Sequence, residues 1–311
     1  MATTTTSYRK ETLDVPGATL YYEVRGSGPV LLLMPGGPAD ATTFRRIEND
    51  LAQRFTVVTY DPRTYSRSIQ KEPVADSEMV QVFADDAHRL LKKVAGDEKA
   101  CIFASSGGAT IALDLIARHA DQIDTVILHE PPSPSLLPNK AEARAGFEDV
   151  CDTCEKEGLF PAMQKFMVLV GVQGGPPQPD HEPTPEEKAQ QALMMGNMSY
   201  FFGRYIRNIG RYEPDLDAIA QAPCRVIGAI GAESNDSQLA CAGGKRVAQI
   251  AGGEPVVFPG DHGGFDGKPK EFAAKLIEVL AKLPPLQSIS WGKQRFQPRP
   301  ISASSSNTGR S

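Results

Sequence analysis

The chain has 311 residues, of which 41% are hydrophobic, 23% charged and 7% aromatic. This composition is typical of globular proteins and excludes the disordered, collagen-like and disulfide-rich classes. The net charge of −5 argues against general binding to nucleic acids or anionic membranes, and without an apolar run of ~20 residues or a secretory signal we expect a cytoplasmic protein.

Apolar runs alternate with helical patterns along most of the chain. The predicted strands are 19–24, 30–34, 55–60, 100–104, 125–128, 225–230 and 255–258. The predicted helices among them are 41–53, 79–94, 108–119, 237–250 and 269–281. This order predicts an α/β fold with a doubly wound, mostly parallel sheet covered by helices on both faces. Such sheets place their chemistry at the carboxyl ends of the strands.

One long segment, 131–223, interrupts this alternation. It is too long for a simple connection and predicts a helical subdomain, with helices at 140–158, 161–170 and 185–210. It contains five of the eight methionines and several aromatic residues. Most of these side chains are expected to pack against the sheet, and some to line an apolar ligand pocket. The candidate pocket residues in this segment are Met163, Met167, Met195, Phe201 and Tyr205.

The domain organisation follows from this interruption. We expect a core formed by 1–131 and 223–283, a helical cap at 132–222 and a C-terminal tail at 284–311. The tail is rich in serine and proline, contains basic but no acidic residues, and is expected to be loosely attached. Trp291 and Phe296 are candidates for anchoring it on the body or on a second copy of the chain in a homodimer.

The strongest local signal is Phe-Ala-Ser-Ser-Gly-Gly at 103–108, which lies between a predicted strand and a predicted helix. Small residues stand two positions before and two after Ser106, where a sharp strand-to-helix turn brings the backbone close. The turn predicts an exposed hydroxyl at Ser106 and a Gly107 N–H aimed at negative charge on a bound carbonyl. The motif resembles the nucleophile elbow Gly-x-Ser-x-Gly of the α/β-hydrolase family, with Ala104 at the first glycine.

This resemblance covers about residues 7–283. It implies the α/β-hydrolase fold, in which a helical cap is inserted after the sixth strand, and a serine nucleophile at Ser106. The sequence Met-Pro-Gly-Gly-Pro at 34–38 resembles the family's His-Gly oxyanion loop. Because Pro38 has no N–H, we expect Gly37 to be the second donor of the oxyanion hole, with Gly36 as the alternative and as a further pocket residue.

Another family loop has a counterpart at 61–68. Asp-Pro-Arg-Thr-Tyr-Ser-Arg-Ser is similar to Asp-x-Arg-Gly-x-Gly-x-Ser, but Thr64 and Ser66 replace both glycines. The shape of this loop is therefore not predicted.

A serine hydroxyl needs a base, and the chain has five histidines. His88 and His119 lie in predicted helices, and His181 lies in a polar loop of the insertion. His129 ends a strand, where alternation turns its side chain away from that of the next residue. His262 follows the last predicted strand, in the loop where the family keeps its base, and is the expected general base.

Two loops compete to supply the acid that orients the base. Glu130 leaves the strand 125–128, and an acid there resembles the Ser-His-Glu sites of zearalenone lactone hydrolases. The loop after 225–230 is the usual family location, but Ser234 stands at the expected position. Glu233 and Asp236 remain alternatives, and we favour Glu130.

These residues predict a serine hydrolase that cleaves an ester or lactone bond of a hydrophobic small molecule. The most specific substrate prediction is a resorcylic macrolactone such as zearalenone. Neither a metal nor a nucleotide cofactor is expected, because no residues have the spacing that such sites require. The alternatives are a hydrolase-fold receptor with little turnover, a carbon–carbon bond hydrolase and a peptidase. Epoxide hydrolase chemistry is disfavoured, because those relatives have aspartate at the position of Ser106.

Overall fold

The computed structural model describes residues 8–170, 182 and 184–281. The tail predicted at 284–311, with Trp291 and Phe296, lies outside these residues, and so does His181. The domain bounds predicted for the two ends of the chain therefore stay predictions.

The described strands form a single sheet. They are β1 (Tyr8–Val15), β2 (Ala18–Arg25), β3 (Val30–Met34), β4 (Thr56–Tyr60), β5 (Ile69–Gln70), β6 (Ala100–Ser105), β7 (Ile123–His129), β8 (Arg225–Gly231) and β9 (Val256–Phe258). Their order is β1-β2-β4-β3-β6-β7-β8-β9, with the short β5 paired to β2. β2 is antiparallel to β1, β4 and β5. The neighbouring strands β4-β3-β6-β7-β8-β9 are all parallel. The predicted α/β class is confirmed.

The helices cover the sheet and fill the insertion between β7 and β8. They are α1 (Glu48–Leu51), α2 (Met79–Ala95), α3 (Gly107–His119), α4 (Lys140–Glu157), α5 (Leu159–Val170), α6 (Pro185–Tyr200), α7 (Ile206–Arg211), α8 (Leu216–Ala220), α9 (Leu239–Ile250), α10 (Gly264–Gly267) and α11 (Pro269–Ala281). A π-helical turn, Phe201–Tyr205, joins α6 to α7. When the two-residue β5 is counted, the insertion follows the seventh strand.

The sheet separates two hydrophobic cores. On β3, Leu32 and Met34 face the core that also contains residues of α2 and α3. Leu31 and Leu33 face the opposite core, which contains residues of α1 and α11. The continuous apolar sequence of β3 is thus explained by burial on both faces.

Several elements differ from the sequence prediction, among them β1 and the helix predicted at 41–53. β1 was not predicted, because its sequence is charged and most of its side chains are exposed at the edge of the sheet. The helix predicted at 41–53 is instead a 3₁₀ turn, Ala41–Phe44, followed by the single turn α1. Asp40 caps the 3₁₀ turn through Thr42 N (2.9 Å), and the β-branched residues that follow favour a long helix poorly.

Ion pairs hold the insertion together. Arg207 of α7 pairs with Glu148, Asp152 and Glu155 of α4 at 2.8 to 2.9 Å. Such surface pairs each contribute little to stability, but three on one guanidinium fix how α7 lies on α4. The insertion therefore places the π-helical turn at a defined position beside the carboxyl ends of the strands.

Candidate active site

Ser106 occupies the predicted sharp turn between β6 and α3. Its φ is 55°, and its N–H donates to the His129 carbonyl at 2.9 Å. The neighbouring backbone is close: a Cβ on Gly108 would lie 2.4 Å from the Pro35 carbonyl oxygen. A left-handed conformation at a non-glycine residue costs about 1 kcal/mol or more. The close approach of the 35–37 loop explains why this turn accepts only very small flanking residues.

The glycine loop after β3 lies directly against this turn. A Cβ on Gly36 would lie 2.6 Å from Ser106 Cβ and 2.7 Å from Gly107 N. Gly37 has a φ of 59°, and its N lies 3.4 Å from the point that a Cβ on Gly107 would occupy. The backbone N–H groups of Gly37 and Gly107 are therefore close together at the wall of the cavity that Ser106 also borders.

His262 and Glu130 form a hydrogen-bonded pair in the same region. His262 Nδ1 lies 2.7 Å from Glu130 Oε2, and Glu130 Oε1 accepts from Gly231 N at 2.9 Å. The carboxylate is buried, whereas 35% of the His262 side chain is exposed. Because Nδ1 faces the carboxylate, Nε2 is the ring nitrogen left for the cavity, which His262 and Ser106 both border.

The Glu130 carboxyl is ionised at neutral pH. Burial raises its pKa, but the hydrogen bond from His262 and the nearby imidazoles lower it more, so the pKa falls to about 2. Ser234, at the usual position of the family's acid, also contributes to this lowering.

The backbone at Glu130 is strained. Its φ is 51°, and its N–H donates to the Ala229 carbonyl at 3.0 Å. A bulky residue in this conformation is uncommon and indicates that the surroundings impose it. Here the kink turns the carboxylate across the end of β8 towards His262.

The alternative acids lie elsewhere. Glu233 forms an ion pair with Lys268, and 56% of its side chain is exposed. Asp236 pairs with Lys245 at 2.6 Å, and 80% of its side chain is exposed. Both carboxylates thus face solvent and surface lysines, whereas Glu130 contacts the imidazole.

Two other histidines lie away from the site. His88 and His119 stack on each other with ring centroids 3.9 Å apart, and His119 Nε2 lies 3.1 Å from Asp85 Oδ1. They belong to α2 and to the end of α3, as their helical patterns predict.

His129 lies fully buried behind His262. The two rings are 6.1 Å apart and inclined by 29°, and phenylalanine rings surround His129. Neither ring nitrogen has a hydrogen-bond partner among the described residues. Burial lowers the pKa of His129 to about 4, so the ring is neutral at physiological pH.

This burial predicts acid-sensitive stability. The unfolded chain binds a proton on His129 near its ordinary pKa of 6.5, but the folded protein does so only near 4. The free energy of unfolding should therefore fall as the pH drops through this interval, by about 3 kcal/mol. Glu130, whose pKa is lowered from 4.5 to about 2, extends the loss to still lower pH. Urea unfolding at a series of pH values measures both.

His129→Phe provides the control for this prediction. Phenylalanine cannot be protonated and suits the aromatic surroundings of the site. In this variant the free energy of unfolding should change less between pH 6.5 and 4, the interval set by the two His129 pKa values. An identical pH profile in both proteins would show that His129 does not control the acid sensitivity.

His129, Glu130 and His262 also form the one potential metal-ligating group among the described residues. One ligand atom each of His129, Glu130 and His262 lies within 4.8 Å of the others. The group is drawn from the end of β7 and from the loop after β9, so no local spacing in the sequence indicates it. Within this group, His262 Nδ1 and Glu130 Oε2 are already hydrogen-bonded to each other at 2.7 Å. The arrangement is that of an imidazole oriented by a carboxylate.

The cavity beside Ser106 is mainly apolar and has a volume of about 270 Å³. Its wall combines backbone of the glycine loop after β3 and of the turn at Ser106 with side chains of the insertion and of α10. The apolar side chains include Phe147, Phe166, Met167, Phe201, Ile209 and Phe265. In the part of the wall that the structure describes, no lysine, arginine, aspartate or glutamate side chain appears. The cavity thus suits an uncharged, hydrophobic ligand.

The predicted pocket residues are placed unequally. Gly36, Met167, Phe201 and Tyr205 border the cavity. Met163 and Met195 do not border it, which corrects the expectation for both. Met163 is partly buried and packs against the hydrophobic core, and 48% of Met195 is exposed, on the solvent side of α6. The sequence shows which side chains are apolar, but not how each helix is rotated about its axis.

The loop at 61–68 keeps left-handed backbone without glycines. Thr64 has a φ of 74° and Ser66 a φ of 46°. Asn197 of α6, which no sequence motif indicates, supports this shape: its Oδ1 accepts from Ser66 N at 2.8 Å. Its Nδ2 donates to the Pro38 carbonyl at 3.0 Å, so one buried amide joins the insertion to both loops.

None of the helices that the structure describes is long and apolar enough to cross a membrane.

Comparisons with known proteins agree on the fold. A family model described as alpha/beta hydrolase fold matches residues 29–153. An uncharacterized hydrolase of Bacillus subtilis, YraK, is 34% identical over 280 residues, which cover 87% of this chain and 96% of that protein. A zearalenone hydrolase of Bionectria ochroleuca is 30% identical over 130 residues, which cover 41% of this chain and 49% of that protein. The solved esterase RhEst1 of Rhodococcus has a TM-score of 0.68 at 19% identity, covering 89% of this chain and 100% of that one.

Proposed function

Because this chain belongs to the α/β-hydrolase fold family, we propose that it is a serine hydrolase that cleaves an ester or lactone bond of a hydrophobic small molecule. Ser106 is the nucleophile, His262 the base and Glu130 the acid that orients it. The N–H groups of Gly37 and Gly107 form the oxyanion hole.

One observation carries this proposal most directly. Glu130, on a strained backbone, holds His262 Nδ1 at 2.7 Å, and the imidazole borders the same cavity as Ser106. A buried carboxylate fixes the tautomer in which Nε2 accepts a proton, and it stabilises the imidazolium that forms. Ser106 is thereby provided with a base.

The first half of the reaction forms an acyl-enzyme. Ser106 Oγ attacks the carbonyl carbon while His262 Nε2 takes its proton, and the carbonyl electron pair moves onto oxygen facing Gly37 and Gly107. The intermediate collapses, the bond to the alcohol oxygen breaks, and His262 returns the proton to the leaving alkoxide. A simple ester loses its alcohol here, whereas the alcohol of a lactone stays tethered.

Water completes the cycle. His262 removes a proton from water, which attacks the acyl carbon, and the collapsing intermediate releases the carboxylic acid and restores Ser106. A lactone therefore gains one water and is released as an open-chain hydroxy acid.

The cavity supports an uncharged hydrophobic substrate. Its wall is mainly apolar, and its described part contains no lysine, arginine, aspartate or glutamate side chain, so a charged group would lose hydration without a partner. The similarity to a zearalenone hydrolase over part of the chain makes a resorcylic macrolactone the first candidate.

The test is a panel of esters and lactones with the products identified by mass. It contains zearalenone, smaller lactones and neutral p-nitrophenyl esters, with a hemisuccinate ester as the charged counterpart. We expect turnover of neutral compounds and the gain of one water by at least one lactone. Activity on simple esters alone would contradict the lactone part of the proposal. Binding without turnover of any compound would favour a receptor and contradict the enzyme.

Gly36→Ala tests the contact between the two loops of the site. The new methyl group would lie 2.5 Å from the Ser105 carbonyl oxygen and 2.6 Å from Ser106 Cβ, so either the oxyanion loop or the nucleophile must shift. A displacement of this kind lowers kcat by about a hundredfold. Steady-state kinetics on a neutral ester measures it.

Gly196→Ala is the matched control for this substitution. Gly196 lies in α6, and an added Cβ would meet nothing within 4 Å. This variant should keep its activity and gain slightly in helix stability. If both variants behave like the wild type, the close packing of the 36–37 loop does not matter for turnover.

A further inference from the structure

The π-helical turn between α6 and α7 places one polar side chain of the insertion at the reaction site. π turns within α-helices are rare and occur frequently at functional sites. This turn ends at Tyr205, which borders the cavity together with the apolar Phe201, Ile206 and Ile209 from the same segment. Tyr205 thus stands out on this wall, because it alone among these four carries a hydrogen-bonding group.

The Tyr205 hydroxyl lies over Gly107. Tyr205 Oη is 3.1 Å from the point that a Cβ on Gly107 would occupy, and Gly37 N is 3.4 Å from the same point. The two donors therefore both lie within 3.4 Å of one point beside Gly107. Gly107, which belongs to the nucleophile turn, leaves that point free because it has no side chain.

The tyrosine ring is held rigidly. It contacts the rings of Tyr65, Phe83 and Phe201, with centroids 5.7 to 6.0 Å apart, and only 3% of the residue is exposed. Burial raises the pKa of Tyr205 well above its ordinary value, so the hydroxyl keeps its proton. A fixed, protonated hydroxyl at this place needs little reorganisation to stabilise charge that develops nearby.

We propose that Tyr205 Oη is a third hydrogen-bond donor of the oxyanion hole, in addition to the N–H groups of Gly37 and Gly107. This inference rests on the proposed function. As the carbonyl oxygen gains the electron pair, Tyr205 donates its hydrogen to that oxygen, and the bond is released when the carbonyl forms again. The insertion thereby contributes to the chemistry itself and not only to substrate fit.

Tyr205→Phe tests the proposal, because it removes the hydroxyl and keeps the ring. Loss of one oxyanion donor should lower kcat on neutral p-nitrophenyl esters by about a hundredfold, with KM changed less. Tyr200→Phe is the matched control. Tyr200 is half-buried, packs edge-on against Tyr65 at 5.7 Å and is not part of the described cavity wall, so this variant should keep kcat.

A series of leaving groups separates two roles of the hydroxyl. A donor to the oxyanion lowers kcat/KM by a similar factor for esters of acidic and of weakly acidic alcohols. A donor to the leaving oxygen matters most for the weakly acidic alcohols. A loss that grows steadily along the series would overturn the oxyanion assignment, and equal kcat in Tyr205→Phe and wild type would overturn the proposal altogether.

Titration with a phenylboronic acid keeps this result distinct from failure of the proposed function. The boronate forms a tetrahedral adduct with the serine hydroxyl and imitates the intermediate without turnover. Tyr205→Phe should bind it at least tenfold more weakly than wild type and Tyr200→Phe equally well. If the wild type turns over no ester, the hydrolase proposal fails, and unchanged boronate affinity in Tyr205→Phe would then overturn the role of Tyr205 as well.

Discussion

Ser106→Ala is expected to lower kcat on neutral esters by about 10⁵-fold or more, the scale seen when a nucleophile is removed from a hydrolytic triad. The hydroxyl oxygen of Ser106 is the atom that would bond to the acyl carbon. Replacing it with hydrogen removes this atom, and the small alanine side chain should leave the surrounding turn unchanged. The measurement is single-turnover and steady-state kinetics on a p-nitrophenyl ester, with circular dichroism to establish that the variant is folded. A fluorophosphonate reagent should add one mass increment to the wild type and none to Ser106→Ala.

Ser105→Ala gives the matched control. Ser105 ends β6, is also buried and also borders the cavity, but it is a strand residue and lacks the left-handed backbone of Ser106. This variant should be labelled at Ser106 and keep kcat within about tenfold of wild type. Labelling that persists in Ser106→Ala and disappears in Ser105→Ala would move the nucleophile by one residue.

The sharp turn at Ser106 and the position of His262 beside the same cavity could be predicted from the sequence because their signals are local. Small residues around Ser106 indicate the tight turn, and flanking apolar and helical patterns place it at the end of a strand. His262 was found by its place after the last strand and by the unsuitable positions of the other histidines. Carboxyl ends of parallel strands lie at one edge of the sheet, so such residues meet although they are far apart in sequence.

The choice between Glu130 and the 233–236 loop could not be settled in the same way. β7 and β8 are neighbours in the sheet, so both loops start at the same edge. What distinguishes them is the kink at Glu130, with a φ of 51°, and the hydrogen bond from Gly231 N. Both depend on tertiary contacts between strands that the sequence pattern does not describe.

Side-chain directions in the insertion were the least predictable feature. The helix predicted at 185–210 contains the π-helical turn Phe201–Tyr205, which adds a residue and rotates all later positions about the helix axis. Ile206 and Ile209 therefore face the cavity, whereas Met195, before the turn, is exposed. Hydrophobic periodicity alone cannot show where such a shift occurs.

Backbone strain is concentrated around the proposed site. Among the described residues, the non-glycine residues with positive φ are Thr64, Ser66, Ser106 and Glu130. Two of them, Ser106 and Glu130, are the proposed nucleophile and acid. The N–H of Ser66 donates a hydrogen bond to Asn197, which in turn donates one to the carbonyl of Pro38, beside the proposed oxyanion loop. Strained residues persist where surrounding contacts determine the backbone more strongly than local preference does. The strain therefore supports the location of the site independently of the motif.

Glu130→Ala is expected to lower kcat by about 10⁴-fold. Without the carboxylate, His262 loses the partner of Nδ1 at 2.7 Å, so neither its tautomer nor its orientation is fixed and the imidazolium is not stabilised. Glu130→Gln keeps the size of the side chain and should lose a similar factor, because an amide cannot supply the negative charge. Steady-state kinetics with folding checked by thermal unfolding separates this loss from a loss of structure.

Glu233→Ala and Asp236→Ala complete the comparison, because each removes a carboxylate from the competing loop. Glu233 pairs with Lys268 and Asp236 with Lys245 at the surface, and exposed pairs contribute about 1 kcal/mol or less to stability. Both variants should therefore keep kcat near the wild-type value and unfold at nearly the same temperature. If either variant lost activity while Glu130→Ala kept it, the imidazole would have to turn from the buried carboxylate to the 233–236 loop during the reaction.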